Sequence, residues 1–127
     1  MNSYFFVAGC LVFIIGLIHS VLGEIRIFRR MRRPGGLIPT EGSPILIEYY
    51  VRTLWASWHI VTAFGWGLGV ILLRLSFPSS EHTLQEFVLN TTLFSMLAAS
   101  LIVLVGTKGK HPAWLGLLGV AILLWIG

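Results

Sequence analysis

One apolar stretch decides the fold of this chain: YFFVAGCLVFIIGLIHSVLGE, at Tyr4–Glu24. It contains no charged side chain before Glu24, and a helix of ~20 such residues can cross the ~30 Å hydrocarbon core of a bilayer. Three further apolar stretches follow at Ile47–Ser76, Leu84–Val105 and Pro112–Ile126. The pattern predicts an all-α membrane protein with four transmembrane helices.

The composition agrees with a membrane protein and excludes a soluble one. Hydrophobic residues make up 56% of the 127 residues, and charged residues make up 11%. A soluble domain of this size cannot bury so much apolar surface, because small folds have a high surface-to-volume ratio. The connections between the stretches are short, so we expect sequential helices to be antiparallel neighbours. The prediction is an up-down bundle that forms one integral membrane domain over residues 1–127.

The basic residues gather on one side of the predicted spans. Seven of the nine Lys and Arg residues follow the first or the third span: Arg26, Arg29, Arg30, Arg32, Arg33, Lys108 and Lys110. Arg74 alone lies near the opposite face. Short loops rich in Lys and Arg stay in the cytoplasm, so we expect both termini to be periplasmic. The net charge of +4 therefore indicates lipid headgroups of the bilayer as partners, and not nucleic acid.

Helix breakers and capping residues predict where the helices begin and end. The segment Glu24–Arg33 contains no glycine or proline, so the first helix is predicted to continue to Pro34. Ser43 followed by Pro44 is typical of a helix start and predicts the beginning of the second helix. Thr83-Leu84-Gln85-Glu86 has the spacing of a capping box and predicts the start of the third helix.

Small residues predict where helices approach each other closely. The first stretch contains Gly9, Gly16 and Gly23 near one face, and the second contains Gly65 and Gly69 with GxxxG spacing. In lipid, close packing drives helix association, and small residues permit it. Packing within the bundle explains these glycines, and a homo-oligomer that forms through the Gly65/Gly69 face is the alternative.

Ionisable side chains recur at one level of the predicted bundle, towards its cytoplasmic side. Such groups are costly inside a bilayer, so each is a candidate for a functional site. The fold is expected to bring together six of them from three helices: His19, Glu24, Glu48, Arg52, His59 and His111. Cys10 is the only cysteine, which excludes a metal cluster built from cysteines.

This group of residues predicts a site for haem b or a transition metal as the leading function, and two alternatives remain. His19 and His59 could ligate the iron of haem b while Arg52 holds a propionate. The same histidines with Glu24 could instead bind a divalent transition metal. A Glu–Arg–His chain could relay protons in a small homo-oligomeric transporter or channel. The structural alternative is an accessory or assembly subunit of a larger membrane complex, in which Glu24 and Arg52 form an ion pair that only fixes packing.

Three segments carry a resemblance to known proteins: GLIHSVLGE at Gly16–Glu24, the stretch from Arg52 to Trp58-His59, and GKHPAW at Gly109–Trp114. With these segments the chain resembles a group of small bacterial four-helix membrane proteins over essentially its whole length. The resemblance implies a multi-pass protein of the bacterial inner membrane, and it implies no reaction.

Overall fold

The computed structural model describes residues 1–126, which form four α-helices and one short 3-10 helix. The α-helices are α1 (Ser3–Arg26), α2 (Glu48–Leu75), α3 (Glu81–Gly106) and α4 (Ala113–Ile126). Residues 1–126 contain no strand. The prediction of an all-α chain with four helices is confirmed, and each helix covers one of the predicted apolar stretches.

Three of the four helices have the dimensions of membrane spans. The helices α1, α2 and α3 are each long and apolar enough to cross a bilayer, and most of their residues are at least partly exposed. Exposed leucine, isoleucine and phenylalanine side chains are what lipid contact requires. With 14 residues, α4 is shorter, about 21 Å at 1.5 Å per residue, so it falls short of the hydrocarbon thickness.

The helices form an open row in which each helix packs against its neighbours in sequence. The packed pairs are α1 with α2, α2 with α3, and α3 with α4. Within residues 1–126, no extensive contact joins α1 to α3 or to α4. Neighbours are antiparallel: the backbone N–H of Asn2, before α1, donates to the carbonyl of Ser76, after α2, over 2.7 Å. The predicted order of antiparallel neighbours is present, but the row does not close into a bundle.

A seven-residue repeat of glycine holds α1 against α2. Gly9, Gly16 and Gly23 are all buried in this contact. The indole of Trp66 lies where a side chain at Gly16 would project, and the indole of Trp58 lies in the same way against Gly23. A repeat of seven keeps one face of a helix towards its partner. The glycines therefore make room for two large aromatic rings of α2.

Gly65 and Gly69, the two glycines of the GxxxG pair in α2, lie in different environments. Gly69 is buried, and a Cβ atom there would lie 3.0 Å from the Phe13 ring and 3.4 Å from the Gly9 carbonyl of α1. At Gly65, no described atom lies within 4 Å of the position of a Cβ atom, apart from its chain neighbours and the backbone of its own helix. Gly69 therefore serves packing within the chain, and a homo-oligomer through this face stays a prediction.

The end of α1 differs from the prediction. The helix ends at Arg26, and the chain then turns through the 3-10 helix at Phe28–Met31 without continuing to Pro34. The Phe28 side chain is 3% exposed, and its ring meets the Trp58 ring edge to face at 5.9 Å. Burial of this ring against α2 turns the chain back under α1, which explains why the absence of a breaker was misleading.

The starts of α2 and α3 were predicted about one helical turn away from their positions. Leu46 donates its backbone N–H to the Ser43 carbonyl over 2.9 Å, which closes a separate turn, and α2 begins only at Glu48. In α3 the cap is Ser80, whose hydroxyl accepts from the Thr83 N–H over 3.3 Å. Ser80 precedes the predicted capping box and has the same capping chemistry, so the helix begins earlier.

Candidate functional site

The Glu24 carboxylate is the centre of a polar cluster at the end of α1. Its Oε2 accepts from the Arg32 guanidinium over 2.5 Å. Its Oε1 accepts from the indole N–H of Trp55 over 2.5 Å and lies 3.1 Å from Nε2 of His59. The Glu24 side chain is 29% exposed, so the partners replace most of its water. Three donors thereby satisfy a carboxylate at the edge of an apolar layer.

Two local features bring these partners to Glu24. Trp55 and His59 are four residues apart on α2, so they project from the same helix face towards α1. The 3-10 turn returns the chain beneath α1 and carries Arg32 back to the carboxylate. The sequence predicted that Arg32 lies in a continuation of the first helix, and the turn explains why it does not.

A chain of hydrogen bonds continues from His59 deeper between α1 and α2. Nδ1 of His59 lies 3.1 Å from the Ser20 hydroxyl, which lies 2.9 Å from the Thr62 hydroxyl. The Thr62 hydroxyl also reaches the carbonyl of Gly16 over 3.4 Å. Ser20 and Glu24 are one helical turn apart on α1, so both face α2. The chain therefore connects the charged cluster to the middle of the helix pair.

A groove of about 760 Å³ runs along α2 in the space between α1 and α3. On α2 its lining extends from Trp55 to Val70, about 22 Å at 1.5 Å per residue. Its walls are mainly apolar and aromatic, with Ser20, His59 and Thr62 among the lining residues. The groove exists because α1 and α3 both pack on α2 without packing on each other.

His19 does not join the polar cluster. Its ring stacks on the Trp58 ring at 4.3 Å with an angle of 7° between the planes, and Trp58 donates its indole N–H to the His19 carbonyl. Among the described residues, Nε2 of His19 is buried without a hydrogen-bond partner. The described part of the chain holds no group of three or more His, Cys, Asp and Glu that could bind a metal. Of the predicted ligands, only Glu24 and His59 come together.

Arg52 lies in a second cluster, at the start of α2. It is 7% exposed and donates to the carbonyl of Val105, at the end of α3, over 3.2 Å. It also lies 3.7 Å from Glu48, which forms a 3.0 Å ion pair with Lys108. The predicted ion pair between Glu24 and Arg52 was therefore wrong. The negative end of the α3 dipole and the Glu48 carboxylate hold the arginine, while the first loop supplies the partner of Glu24.

His111 lies apart from both clusters and acts at the start of α4. Its Nδ1 accepts from the backbone N–H of Ala113 over 3.2 Å, and its ring is nearly parallel to that of Tyr49 at 6.4 Å. It therefore satisfies a donor that the first turn of α4 would leave unpaired. The prediction that His111 joins one common site with Glu24 is not met.

Four residues of the cluster were not assigned to a site from the sequence: Ser20, Arg32, Trp55 and Thr62. The spacing of Ser20 and Glu24 on α1, and of Trp55, His59 and Thr62 on α2, places them on facing helix surfaces. That spacing is the feature of the sequence from which Ser20, Trp55 and Thr62 could have been assigned to the site. Nothing comparable indicated Arg32, because its position depends on the turn after α1.

Comparison of the chain with protein-family models, with curated proteins and with solved structures gives no match. A functional proposal therefore rests on the geometry of residues 1–126.

Proposed function

We propose that this protein binds a long-chain, uncharged amphipathic molecule that enters the groove laterally from the bilayer. The observation that carries the proposal is the groove itself, with its polar groups in an otherwise apolar lining. A volume of about 760 Å³ lies within the ~300–1,000 Å³ range of small-molecule sites. Such sites combine apolar walls with a few polar groups that orient the ligand.

The lining indicates the chemistry of the ligand. The described residues that line the groove include no Lys, Arg, Asp or Glu. The charge of Glu24 is already opposed by Arg32, so a charged head in the groove would lose its water without gaining an ion-pair partner. The imidazole of His59 and the hydroxyl of Ser20 instead suit a carbonyl or hydroxyl head. The chain of such a ligand would lie along α2 between Phe13 and Phe94.

Photo-crosslinking tests the groove directly. We expect a long-chain alcohol that carries a diazirine in its chain to label groove residues of α2 and α3, as mapped by mass spectrometry. Ala98→Phe fills the groove and should lower this labelling about tenfold, which corresponds to ~1.4 kcal/mol of binding energy. Val61→Phe is the matched control, because Val61 is 62% exposed and is not among the lining residues.

Two outcomes would contradict the groove proposal. The first is equal labelling of all lipid-facing surfaces in the wild type and in Ala98→Phe. The second is an oligomer in which chemical crosslinks place a second copy of the chain in the groove. A fatty sulfate with the same diazirine provides a further control, since a charged head should label the groove less than the alcohol does.

Binding of haem b or a divalent transition metal is a second proposal. Glu24 and His59 lie together, and the buried Nε2 of His19 has no partner among the described residues. Both ring nitrogens of His59 are engaged, however, so a metal would have to displace Ser20 or Glu24. We expect a Soret band or stoichiometric metal in purified protein, lost in His19→Ala and His59→Ala. Absence of both from the wild type would contradict this proposal.

Two further roles stay predictions, an accessory subunit of a larger membrane complex and a small homo-oligomeric transporter or channel. A charged cluster that only fixes packing would suit the first role, and a chain of polar groups between helices would suit the second. Co-purification with larger membrane proteins would support the accessory role, and a crosslinked homo-oligomer would support the other.

We also propose an orientation in the bacterial inner membrane, with both termini in the periplasm. The support is the position of the basic residues, since the segment Arg26–Arg33 and the residues Lys108 and Lys110 lie on the same side of the helix row. A reporter that is active only in the periplasm should therefore be active when fused after Gly127. Activity of a cytoplasmic reporter at the same position would contradict the orientation.

A further inference from the structure

The side chains of Ser20, His59 and Glu24 form a hydrogen-bonded row of hydroxyl, imidazole and carboxylate groups. The Ser20 hydroxyl lies 3.1 Å from one ring nitrogen of His59, and the other ring nitrogen lies 3.1 Å from Glu24. A nucleophile within hydrogen-bond distance of a base, which a third group orients, is the geometric signature of an activated serine. The signature is recognised by the roles of its groups and not by their order in the chain.

One placement of the hydrogen atoms satisfies every hydrogen bond that links Thr62, Ser20, His59 and Glu24. The Thr62 hydroxyl is closer to Ser20 (2.9 Å) than to the Gly16 carbonyl (3.4 Å), so we orient the Thr62 O–H to donate to Ser20 Oγ. The Ser20 hydroxyl then donates to Nδ1 of His59, and the Nε2–H of His59 donates to Glu24. This assignment makes the imidazole neutral and leaves Nδ1 as the acceptor of the serine proton.

The position of Ser20 distinguishes these hydrogen-bonded side chains from a polar network that only fixes the packing of the helices. Ser20, His59 and Thr62 all line the groove, so a ligand bound there lies beside the residue that carries the hydroxyl. Glu24 is not among the lining residues, and its carboxylate also accepts from Trp55 and Arg32. The carboxylate can therefore orient the imidazole without contact with the ligand.

We propose that Ser20 is a nucleophile that accepts the acyl group of a long-chain ester bound in the groove, with His59 as its base and Glu24 as the residue that positions His59. The proposal rests on the proposed function of the groove, because the ester is a groove ligand. It narrows the ligand class from any uncharged amphipathic molecule to an acyl ester.

The reaction has two steps. Ser20 Oγ bonds to the ester carbonyl carbon while its proton passes to Nδ1 of His59, and the carbon–oxygen bond to the alcohol then breaks. The alcohol leaves with the proton from His59, and O-acyl Ser20 remains. Water then attacks the acyl carbon, His59 takes a proton from that water and returns it to Ser20 Oγ, and a fatty acid is released. Glu24 stabilises the imidazolium in both steps.

The surroundings of Ser20 limit the rate and the choice of substrate. Ser20 lies inside α1, so the backbone N–H groups near it are engaged in the helix and cannot stabilise the oxyanion of the reaction. The Thr62 hydroxyl, 2.9 Å from Ser20 Oγ, is the donor that remains near the reacting carbonyl. Each missing oxyanion donor costs about 10²–10³ in rate, so we expect slow turnover and a preference for esters with good leaving groups.

A fluorophosphonate with a long alkyl chain is the probe that tests the nucleophile. It reacts with an activated serine by forming a phosphorus–oxygen bond and releasing fluoride. We expect one adduct per chain of the full-length protein in detergent, mapped to Ser20. Ser20→Ala should abolish the adduct, and His59→Gln should slow its formation about 10²-fold, since a general base contributes 10²–10⁴.

Ser95→Ala is the matched control for labelling. Ser95 also lines the groove, but its hydroxyl donates to the Thr91 carbonyl of its own helix and has no base beside it. The control should be labelled as fast as the wild type. An adduct on Ser95, or labelling of Ser20 that does not depend on His59, would overturn the proposal.

The diazirine alcohol separates failure of the nucleophile from failure of the groove. If the alcohol labels the groove and the fluorophosphonate does not react with Ser20 of the wild type, the groove stands and the nucleophile is overturned. If neither probe reacts there, both proposals fail. The melting temperature of Ser20→Ala, followed by tryptophan fluorescence, shows whether this variant is folded.

Discussion

Gly23→Ala is expected to lower the melting temperature of the purified protein strongly, whereas Gly65→Ala should leave it unchanged or raise it. A Cβ atom at Gly23 would lie 2.6 Å from Cε2 of Trp58, far inside contact distance. The indole has little room to move, because it stacks on His19 and packs against Phe28. Overpacking of this kind costs typically about 1–3 kcal/mol.

Gly65→Ala isolates this steric effect. Both positions are inside helices, where alanine is favoured over glycine by up to about 1 kcal/mol. At Gly65 the added methyl group would meet no described atom of another helix and no side chain beyond its chain neighbours within 4 Å, so only that gain remains. Melting can be followed by tryptophan fluorescence in detergent. Equal melting temperatures for the two variants would mean that Trp58 does not pack against α1.

Removal of the Glu24 charge is the second change with a large expected effect. Glu24→Gln retains the size of the side chain but leaves Arg32 without its ion-pair partner. We expect a loss of about 1–3 kcal/mol in the free energy of unfolding, less than the ~3–5 kcal/mol for a fully buried pair, because both side chains retain some contact with solvent. Glu41→Gln is the control, since its pair with Arg33 is largely exposed and such pairs contribute about 0–1 kcal/mol.

A double-mutant cycle identifies the partner of Glu24. The losses from Glu24→Gln and Arg32→Gln should not add, because both changes remove the same ion pair. The losses from Glu24→Gln and Arg52→Gln should add, because Arg52 is held by Glu48 and Val105. If the losses from Glu24→Gln and Arg32→Gln add, while those from Glu24→Gln and Arg52→Gln do not, then Glu24 pairs with Arg52 and not with Arg32.

The positions of the helices could be predicted because a single local property decides them. A stretch of about 20 apolar residues must form a helix in a bilayer, whatever its neighbours are. The end of α1 depends instead on burial of the Phe28 ring against another helix, which no local pattern shows. The start of α3 was missed for a smaller reason, namely that Ser80 and Thr83 are both suitable caps.

The candidate site could be predicted only in part for the same reason. Glu24 and His59 were both expected near the cytoplasmic end because depth in the membrane follows from position in a helix. Which side chains meet at that depth depends on how the helices are rotated and where the loops return, so Arg32 was missed and Arg52 was assigned to the wrong partner. The groove follows from the separation of α1 and α3, which is a property of the whole row.

The open row also has a consequence for assembly during synthesis. Within residues 1–126, every extensive contact between α-helices joins a helix to the α-helix before it in the chain, so the docking surface of each new helix has already been synthesised. Among α1–α4, no early helix has to wait for the last one, as the first helix of a closed bundle must. Contacts that are local in sequence favour rapid folding. The chain can therefore assemble one hairpin at a time, in the order in which the ribosome releases it.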